Sequence, residues 1–341
     1  MRRLSLLRAR LVMQTVRVRI EDAEAIAAAL GQAVTGTRTL AGGFSHETCL
    51  LELADSRRVV ARLGGGDPAV EAAVMDAARE HVPVPEVLCV LPGVSGMPGA
   101  SWVSGVGGGG SRPAMVLEYV DGTPLSEVLA SGAGRDPASM AGLGAAVGRA
   151  FGRIGAVTFA RPGFFTGPDL AVGDMPPWSE QLPGLAAKWT GAAPGARLDR
   201  EDRRAWTDLC AAHAPALASV DGQAQLVHAD ANPKNVLVTR AAGGWRVDAI
   251  LDWEFSFSGC PYADYANMTR LSHAYPEAFT DGFRAGFASG SARDLHQNWA
   301  YLGHVFDMFA LSDLLTRPEG HPVADQAAAV IRHWIAHGIP G

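Results

Sequence analysis

The alternation of apolar and polar positions changes character near residue 121. Before it, the apolar runs are short and punctuated by turn residues. Thr48-Cys49-Leu50-Leu51-Glu52-Leu53 and Arg58-Val59-Val60-Ala61-Arg62-Leu63 read as strands joined by a turn at Asp55-Ser56. Thr39-Leu40 reads as a strand ahead of them, followed by a glycine turn at Gly42-Gly43. Residues 87–90 and 114–120 supply a fourth and a fifth strand. An alanine-rich helix over residues 21–30 precedes the strands. A second, over residues 69–80, interrupts them, with Asp67 as its cap, Pro68 near its first turn, and Pro83 and Pro85 beyond its end. The glycine-rich stretch 91–113, which includes Gly107 to Gly110, reads as a surface loop.

After Asp121-Gly122 the apolar spacing becomes helical, over residues 125–130, 138–154, 178–189 and 201–217. Residues 163–177 form an irregular connection. Two short strand-like pieces, 226–228 and 235–238, then lead through a Gly243-Gly244 turn into 246–251, and from Tyr262 onward the pattern is helical again. Strands first and helices second predict an α+β chain: a small lobe with a sheet, then a larger, mostly helical lobe, divided near residue 121. No internal repeat of twenty to fifty residues interrupts that reading.

The chain has 341 residues, room for one large domain or two lobes sharing a cleft. A formal charge of −6 leaves no basic footprint for nucleic acid, and no apolar segment is long enough to span a membrane. The cysteines sit singly at Cys49, Cys89, Cys210 and Cys260, without metal-ligand spacing, which suits reduced thiols in a cytoplasmic protein. Residues 1–20 carry Arg2, Arg3, Arg8, Arg10, Arg17 and Arg19; they read as a basic extension, or as residues ahead of a start at Met13, rather than as a targeting segment.

The chemistry concentrates in Leu226-Val227-His228-Ala229-Asp230-Ala231-Asn232-Pro233-Lys234-Asn235-Val236-Leu237-Val238. Apolar flanks pin this loop and let its polar residues face a cleft. Ile250-Leu251-Asp252-Trp253-Glu254 places another acid directly after an apolar strand. Phosphoryl transfer needs a carboxylate near the attacking hydroxyl and oxygen ligands that hold Mg²⁺ against the phosphates. Asp230, Asn235 and Asp252 supply such a set. Each alone is as well explained as a turn or cap residue; their order on a strand–loop–strand framework is what carries the reading.

This loop, with the acid after the strand, resembles the aminoglycoside phosphotransferase family, relatives of the protein kinases, over most of the chain from about Thr39 to past Asp264. The resemblance implies a bilobal protein-kinase-like fold, with residues 21–121 as the nucleotide-binding lobe and 122–341 as the helical catalytic and substrate lobe. It implies that Asp230 is the catalytic base or the acid that orients the hydroxyl, that Asn235 and Asp252 are Mg²⁺ ligands, that His228 braces the loop, and that Asp264 buttresses it. ATP or GTP would be the co-substrate. Gly42, Gly43, Phe44 and Ser45 would cover the phosphates, and Arg62 would hold them where the family usually has a cation on the third strand. Glu71 would pair with Arg62, and the segment from Glu118 to Val120 would meet the purine edge through its backbone. An arginine at that position can bind phosphate in two-pronged fashion, where lysine acts as a point charge.

The resemblance implies an acceptor that is a small molecule with a hydroxyl, most simply an antibiotic of aminoglycoside, nucleoside or macrolide type. From Gly122 onward there are 22 acids and 17 bases, an unclustered excess too small to mark a polycation site. Trp178, Trp189, Trp206, Tyr262, Tyr265, Tyr275 and Trp299 either pack the core or wall a pocket for a ring-bearing ligand. A metabolic kinase for choline, a sugar or homoserine fits the same residues, and a silent binding module fits them less well. Protein-kinase activity is disfavoured because no A-P-E sequence follows Asp252, and a P-loop NTPase because no G-x-x-x-x-G-K-[ST] occurs.

Overall fold

A computed structural model of the chain describes residues 18–40, 46–64, 68–93, 112–131, 136–194 and 197–341. In chain order these residues form α1 (Ile20–Leu30), β1 (Val34–Thr39), β2 (Glu47–Leu53), β3 (Arg58–Leu63), α2 (Pro68–Arg79), β4 (Val87–Leu91), β5 (Ala114–Glu118), β6 (Thr123–Pro124), α3 (Leu125–Ser131) and α4 (Pro137–Ile154). There follow α5 (Trp178–Ala192), α6 (Arg200–His213), β7 (Gln225–Val227), β8 (Val236–Ala241), β9 (Gly244–Ile250), β10 (Phe257–Gly259), α7 (Tyr262–Thr269), α8 (Glu277–Gly290), α9 (Trp299–Leu314) and α10 (Pro322–His337). The class is α+β as expected, with an antiparallel sheet in the N-terminal part and a mostly helical remainder. Among the described residues, no helix is long and apolar enough to cross a membrane. All four cysteines are free thiols.

The chain divides into two compact units. One holds the described residues up to Pro68 together with Val87–Tyr119; the other holds Ala69–Glu86 and Val120–Gly341. Helix α2 therefore belongs to the larger unit except for its first residue, although in sequence it interrupts the strands of the smaller one.

The smaller unit is a five-stranded sheet in the order β1-β2-β3-β5-β4, every pairing antiparallel. The alternation in β2 and β3 turns Cys49, Leu51, Leu53, Val59, Ala61 and Leu63 into a core with Val116 and with Ile26 of α1. Strand β1 covers more than the expected Thr39-Leu40. Its residues Val34 to Thr39 are largely exposed and include Gly36, so it carries no hydrophobic signature of its own. Helix α1 ends at Gly31, whose φ of 64° is the left-handed conformation that closes a helix without steric cost. Arg112 ties this unit together: it bonds Asp22 through its backbone N–H at 3.0 Å and its Nε at 2.9 Å, and Glu47 through Nη1 at 2.7 Å.

In the larger unit the closest helix pair is α4 with α8. Gly144, Gly148 and Gly152 recur every fourth residue on α4; Gly282, Gly286 and Gly290 do the same on α8. Each stripe meets the other helix's backbone. A Cβ at Gly148 would sit 2.2 Å from the Phe283 carbonyl oxygen, and one at Gly282 would sit 2.2 Å from that of Ala141. The missing side chains let the two backbones touch. Three phenylalanines at the same spacing on α8, Phe279, Phe283 and Phe287, then fill the core. Tyr265 stacks on Phe283 with ring centroids 5.9 Å apart, and Trp299 stacks on Phe287 at 5.3 Å. Trp206, Tyr262 and Tyr265 are thus core residues rather than an open wall. Helix α6 stops at His213, short of the expected residue 217, because Pro215 turns the chain into a 3-10 segment over Ala214–Ser219.

Candidate active site

Two small sheets of the larger unit deliver the polar loop. Strand β7 pairs with β10, placing Val227 opposite Phe257, and ends directly at His228. Strand β8 pairs with β9, and the Leu251 N–H donates to the Asn235 carbonyl at 2.8 Å. Asn235, at the head of β8, is thereby set beside the end of β9, from which Asp252 emerges.

Within the loop, His228, Asp230, Asn232 and Asn235 are each fixed by a neighbour. Asp230 accepts from both flanking amides: Asn232 Nδ2 donates to its Oδ1 at 3.0 Å, and Asn235 Nδ2 to its Oδ2 at 2.8 Å. The same two amides also reach the Asp230 main-chain carbonyl. Asn232 Oδ1 in turn accepts from the Lys234 N–H at 2.9 Å. Burial pushes the Asp230 carboxyl up to about 6, and the Asp252 charge adds to that; the two amide bonds and the Arg270 guanidinium pull the other way.

His228 is fully buried and locked at both ring nitrogens. Nε2 lies 2.9 Å from the Leu251 carbonyl and so must donate, leaving Nδ1 to accept the Asp230 N–H at 3.2 Å. Burial lowers its pKa to about 4, so the ring is neutral at physiological pH. Trp253 lies against one side of the ring at 4.6 Å, and Phe151 of α4 meets it edge-on at 6.0 Å.

Asp264, in the first turn of α7, lies beneath the loop. Its Oδ2 accepts the His228 N–H at 2.9 Å and its Oδ1 the Ala229 N–H at 2.8 Å. Burial raises its carboxyl to about 7, against the two N–H groups that favour the charged form. These bonds hold Ala229 at φ 67°, a left-handed conformation that costs an alanine; Asp252 stands at φ 68°. Glu71 of α2 accepts the Trp253 N–H at 3.0 Å, which fixes the residue directly after Asp252.

The loop set is therefore assembled: Asp230, Asn235, Asp252, His228 and Asp264 come together in one unit. Arg62 lies in the other, on β3, where its Nη2 meets His46 Nδ1 at 3.1 Å. Glu118 ends β5, and Val120 opens the larger unit. Gly42, Gly43, Phe44 and Ser45 lie outside the described residues, as do Asp67 and Gly107 to Gly110.

Three features were not read from the sequence. Asn232 is a direct partner of Asp230. Glu71 holds a backbone N–H beside Asp252. A buried cluster also stands close enough to act on Asp230: Arg270, at the end of α7, pairs with Asp307 of α9 through Nε at 2.8 Å and through a second bond from Nη2, and Asn267 donates to the same carboxylate at 2.7 Å. Arg270 follows Asp264 by six residues, but its partner lies 37 positions further on. No local pattern signals that pair.

The profile of the family described as phosphotransferase enzyme family matches residues 36–302. No curated protein matches the chain. Among solved structures, aminoglycoside phosphotransferase APH(4)-Ia is similar at 17% identity, with 93% of this chain and 98% of that one covered and a TM-score of 0.64. Macrolide 2'-phosphotransferase MphH from Brachybacterium faecium is 20% identical, covering 90% and 96%, with a TM-score of 0.55. A choline/ethanolamine kinase family protein from Mesorhizobium loti is 16% identical, covering 89% and 88%, with a TM-score of 0.58. At these identities the likeness is one of fold.

Proposed function

Because the chain belongs to the phosphotransferase enzyme family, we propose that it moves the terminal phosphate of ATP or GTP onto a hydroxyl of a small molecule, with an antibiotic as the leading acceptor class. The observation that carries this reading is the carboxylate of Asp230, gripped by Asn232 and Asn235 at the end of β7 and acted on by the charge of Asp252. A thermostable mutant of APH(4)-Ia was solved with ADP and hygromycin B, which supports a nucleotide as co-substrate.

In this reading Asp230 is the base. Its two amide bonds aim the carboxylate, and its raised pKa suits it to take the proton of an alcohol near neutral pH. His228 is too constrained to react and sets the path of the loop, while Asp264 anchors the loop from below. Asn235 commits its amide nitrogen to Asp230, so its side-chain oxygen is the atom left to face a cation; with the Asp252 carboxylate it makes the hard-oxygen set that Mg²⁺ prefers. The ion, when bound, neutralises charge on the phosphate oxygens. Residues 21–121 serve as the nucleotide lobe, where Gly42, Gly43, Phe44, Ser45 and Arg62 hold phosphates and Glu118 and Val120 meet the base; Glu71 supports the Asp252 turn. Residues 122–341 carry the catalytic and acceptor groups. Reduced thiols and a nucleotide triphosphate donor suit the cytoplasm.

The test is a mass-spectrometric screen for phosphorylated products across antibiotics and metabolites, run with ATP and with GTP. Asp230→Ala should lower transfer by about 10²–10⁴-fold while nucleotide binding stays measurable. Turnover near the normal rate would remove Asp230 from this role.

A further inference from the structure

Arg270 is the outward end of its buried charge cluster. Its side chain is 18% exposed, whereas that of its partner Asp307 is fully buried. Asp307 holds one edge of the guanidinium, taking Nε on Oδ2 at 2.8 Å and Nη2 on Oδ1. Asn267 of α7 donates to the same Oδ1 at 2.7 Å and steadies the carboxylate. A planar fork gripped along its Nε–Nη2 edge has little freedom left. The Nη1 corner therefore points away from Asp307, and it donates to no group among the described residues.

Helix α7 brings this guanidinium to the reacting carboxylate. Asp264, in its first turn, lies beneath the loop, and Arg270 follows six residues later, about 9 Å along the axis. The Arg270 charge reaches Asp230 there, and it reaches the phenol of Tyr275 as well. Tyr275 is half-buried, its ring edge-on to Phe279 at 6.0 Å. Its hydroxyl has no hydrogen-bond partner among the described residues. Neither that hydroxyl nor Arg270 Nη1 is sealed from solvent. Two open polar groups thus stand near Asp230 on the side of α7 and α9, while Asn235 and Asp252 approach from the ends of β8 and β9.

This corner is not positive overall. Asp307 offsets Arg270, and Asp230 and Asp252 are close by. His304 of α9 is kept neutral by burial, and His273, Glu277 and Asp281 on the following segment are exposed to water. What Arg270 imposes is hydrogen-bond direction rather than net charge. A guanidinium carries five donors and no lone pair, so a ligand atom beside it must accept. An ammonium in that place would set donor against donor.

We propose that Arg270 and Tyr275 form a specificity subsite for the acceptor: while the reacting hydroxyl faces Asp230, a neighbouring oxygen of the same molecule accepts from Arg270 Nη1 and from the Tyr275 hydroxyl. The acceptor class is a vicinal diol or a hydroxy-carbonyl compound, rather than an alcohol with an ammonium next to the reacting carbon. Calling the ligand an acceptor rests on the phosphotransferase reading; the subsite itself is tested by binding alone, on the full chain without nucleotide, so that nothing turns over. The probes are vicinal cis-cyclohexanediol, the matching vicinal amino alcohol in its charged form, and cyclohexanol, each titrated by ligand-observed NMR. The diol should bind about tenfold more tightly than either of the others, the effect of one hydrogen bond to a charged group. Tyr275→Phe should weaken the diol about threefold and leave cyclohexanol unchanged. Arg270→Met combined with Asp307→Asn removes both charges without stranding either, keeps an acceptor for Asn267, and should abolish the preference for the diol. Tyr275→Phe deletes only an open hydroxyl and carries the test alone where the paired variant melts early. Equal affinities, tighter binding of the amino alcohol, or a diol preference that survives these variants overturns the proposal. So does a loss of nucleotide affinity in the paired variant with the diol preference intact, which would give the open corner to the phosphates. The two ideas fail separately. A diol preference in a protein that phosphorylates no alcohol overturns the phosphotransferase reading and leaves the subsite standing. Phosphorylated acceptors whose KM is unchanged in Tyr275→Phe and in the paired variant overturn the subsite alone.

Discussion

Replacing Gly148 by alanine tests whether backbone contact between α4 and α8 sets the position of the loop that carries His228 and Asp230. The new Cβ would lie 2.2 Å from the Phe283 carbonyl oxygen, whereas ordinary contact begins at 3.4 Å. The helices must therefore part by about 1.2 Å, and the struck atom is backbone, which cannot rotate away. Overpacking of this kind costs about 3 kcal/mol at the upper end of its usual range. Alanine returns about 1 kcal/mol through its better helix propensity. The net loss is about 2 kcal/mol, which for a unit of this size lowers Tm by about 4–8 °C. Gly142 on the same helix is the control: its Cβ would meet nothing within 4 Å. Gly142→Ala collects the propensity gain without the clash and should raise Tm by about 2–4 °C. Both are read by calorimetry or circular dichroism melts. Function should follow, because Phe151 sits three residues beyond Gly148 and its ring edge meets His228. A Gly148→Ala protein that melts at or above Gly142→Ala would refute the close-contact reasoning.

Two further outcomes concern the loop. The rate should climb with pH and reach half its plateau near pH 6, where Asp230 ionises, and Asp252→Asn should shift any residual activity's limb toward lower pH by removing the charge that raises it. Because the folded-state pKa is raised, protonated Asp230 favours folding below about pH 4 and that contribution disappears as pH rises through 6; Asp230→Asn should thus gain more in Tm over wild type at pH 8 than at pH 4. Asp252→Ala should weaken Mg²⁺-dependent nucleotide binding by at least tenfold in a calorimetric titration, and unchanged binding would count against its place as a ligand.

What the sequence made legible were the features written in local patterns. The alternation in β2 and β3 was readable because one face of each strand is buried. The order of His228, Asp230, Asn235 and Asp252 was readable because strands on either side frame the loop. Strand β1 was mostly missed because an exposed edge strand has no apolar period, and β6 and β10 because two or three residues carry no period at all. Of the aromatics marked as a core or a pocket wall, Trp178, Trp206, Tyr262 and Tyr265 went to the core, a distinction that only the placed helices could make. The Arg270–Asp307 pair was out of reach for a different reason: two helices had to be placed before a buried charge could find its partner.

The left-handed backbone at Ala229 and Asp252 has an evolutionary corollary. Both positions hold a conformation that glycine adopts more cheaply, by about 1 kcal/mol. Drift to glycine at 229 is downhill and removes only a methyl group. At 252 the same drift erases the carboxylate. The first torsion can relax over time without loss of a polar group; the second can relax to glycine only by giving up the acid proposed to face the metal.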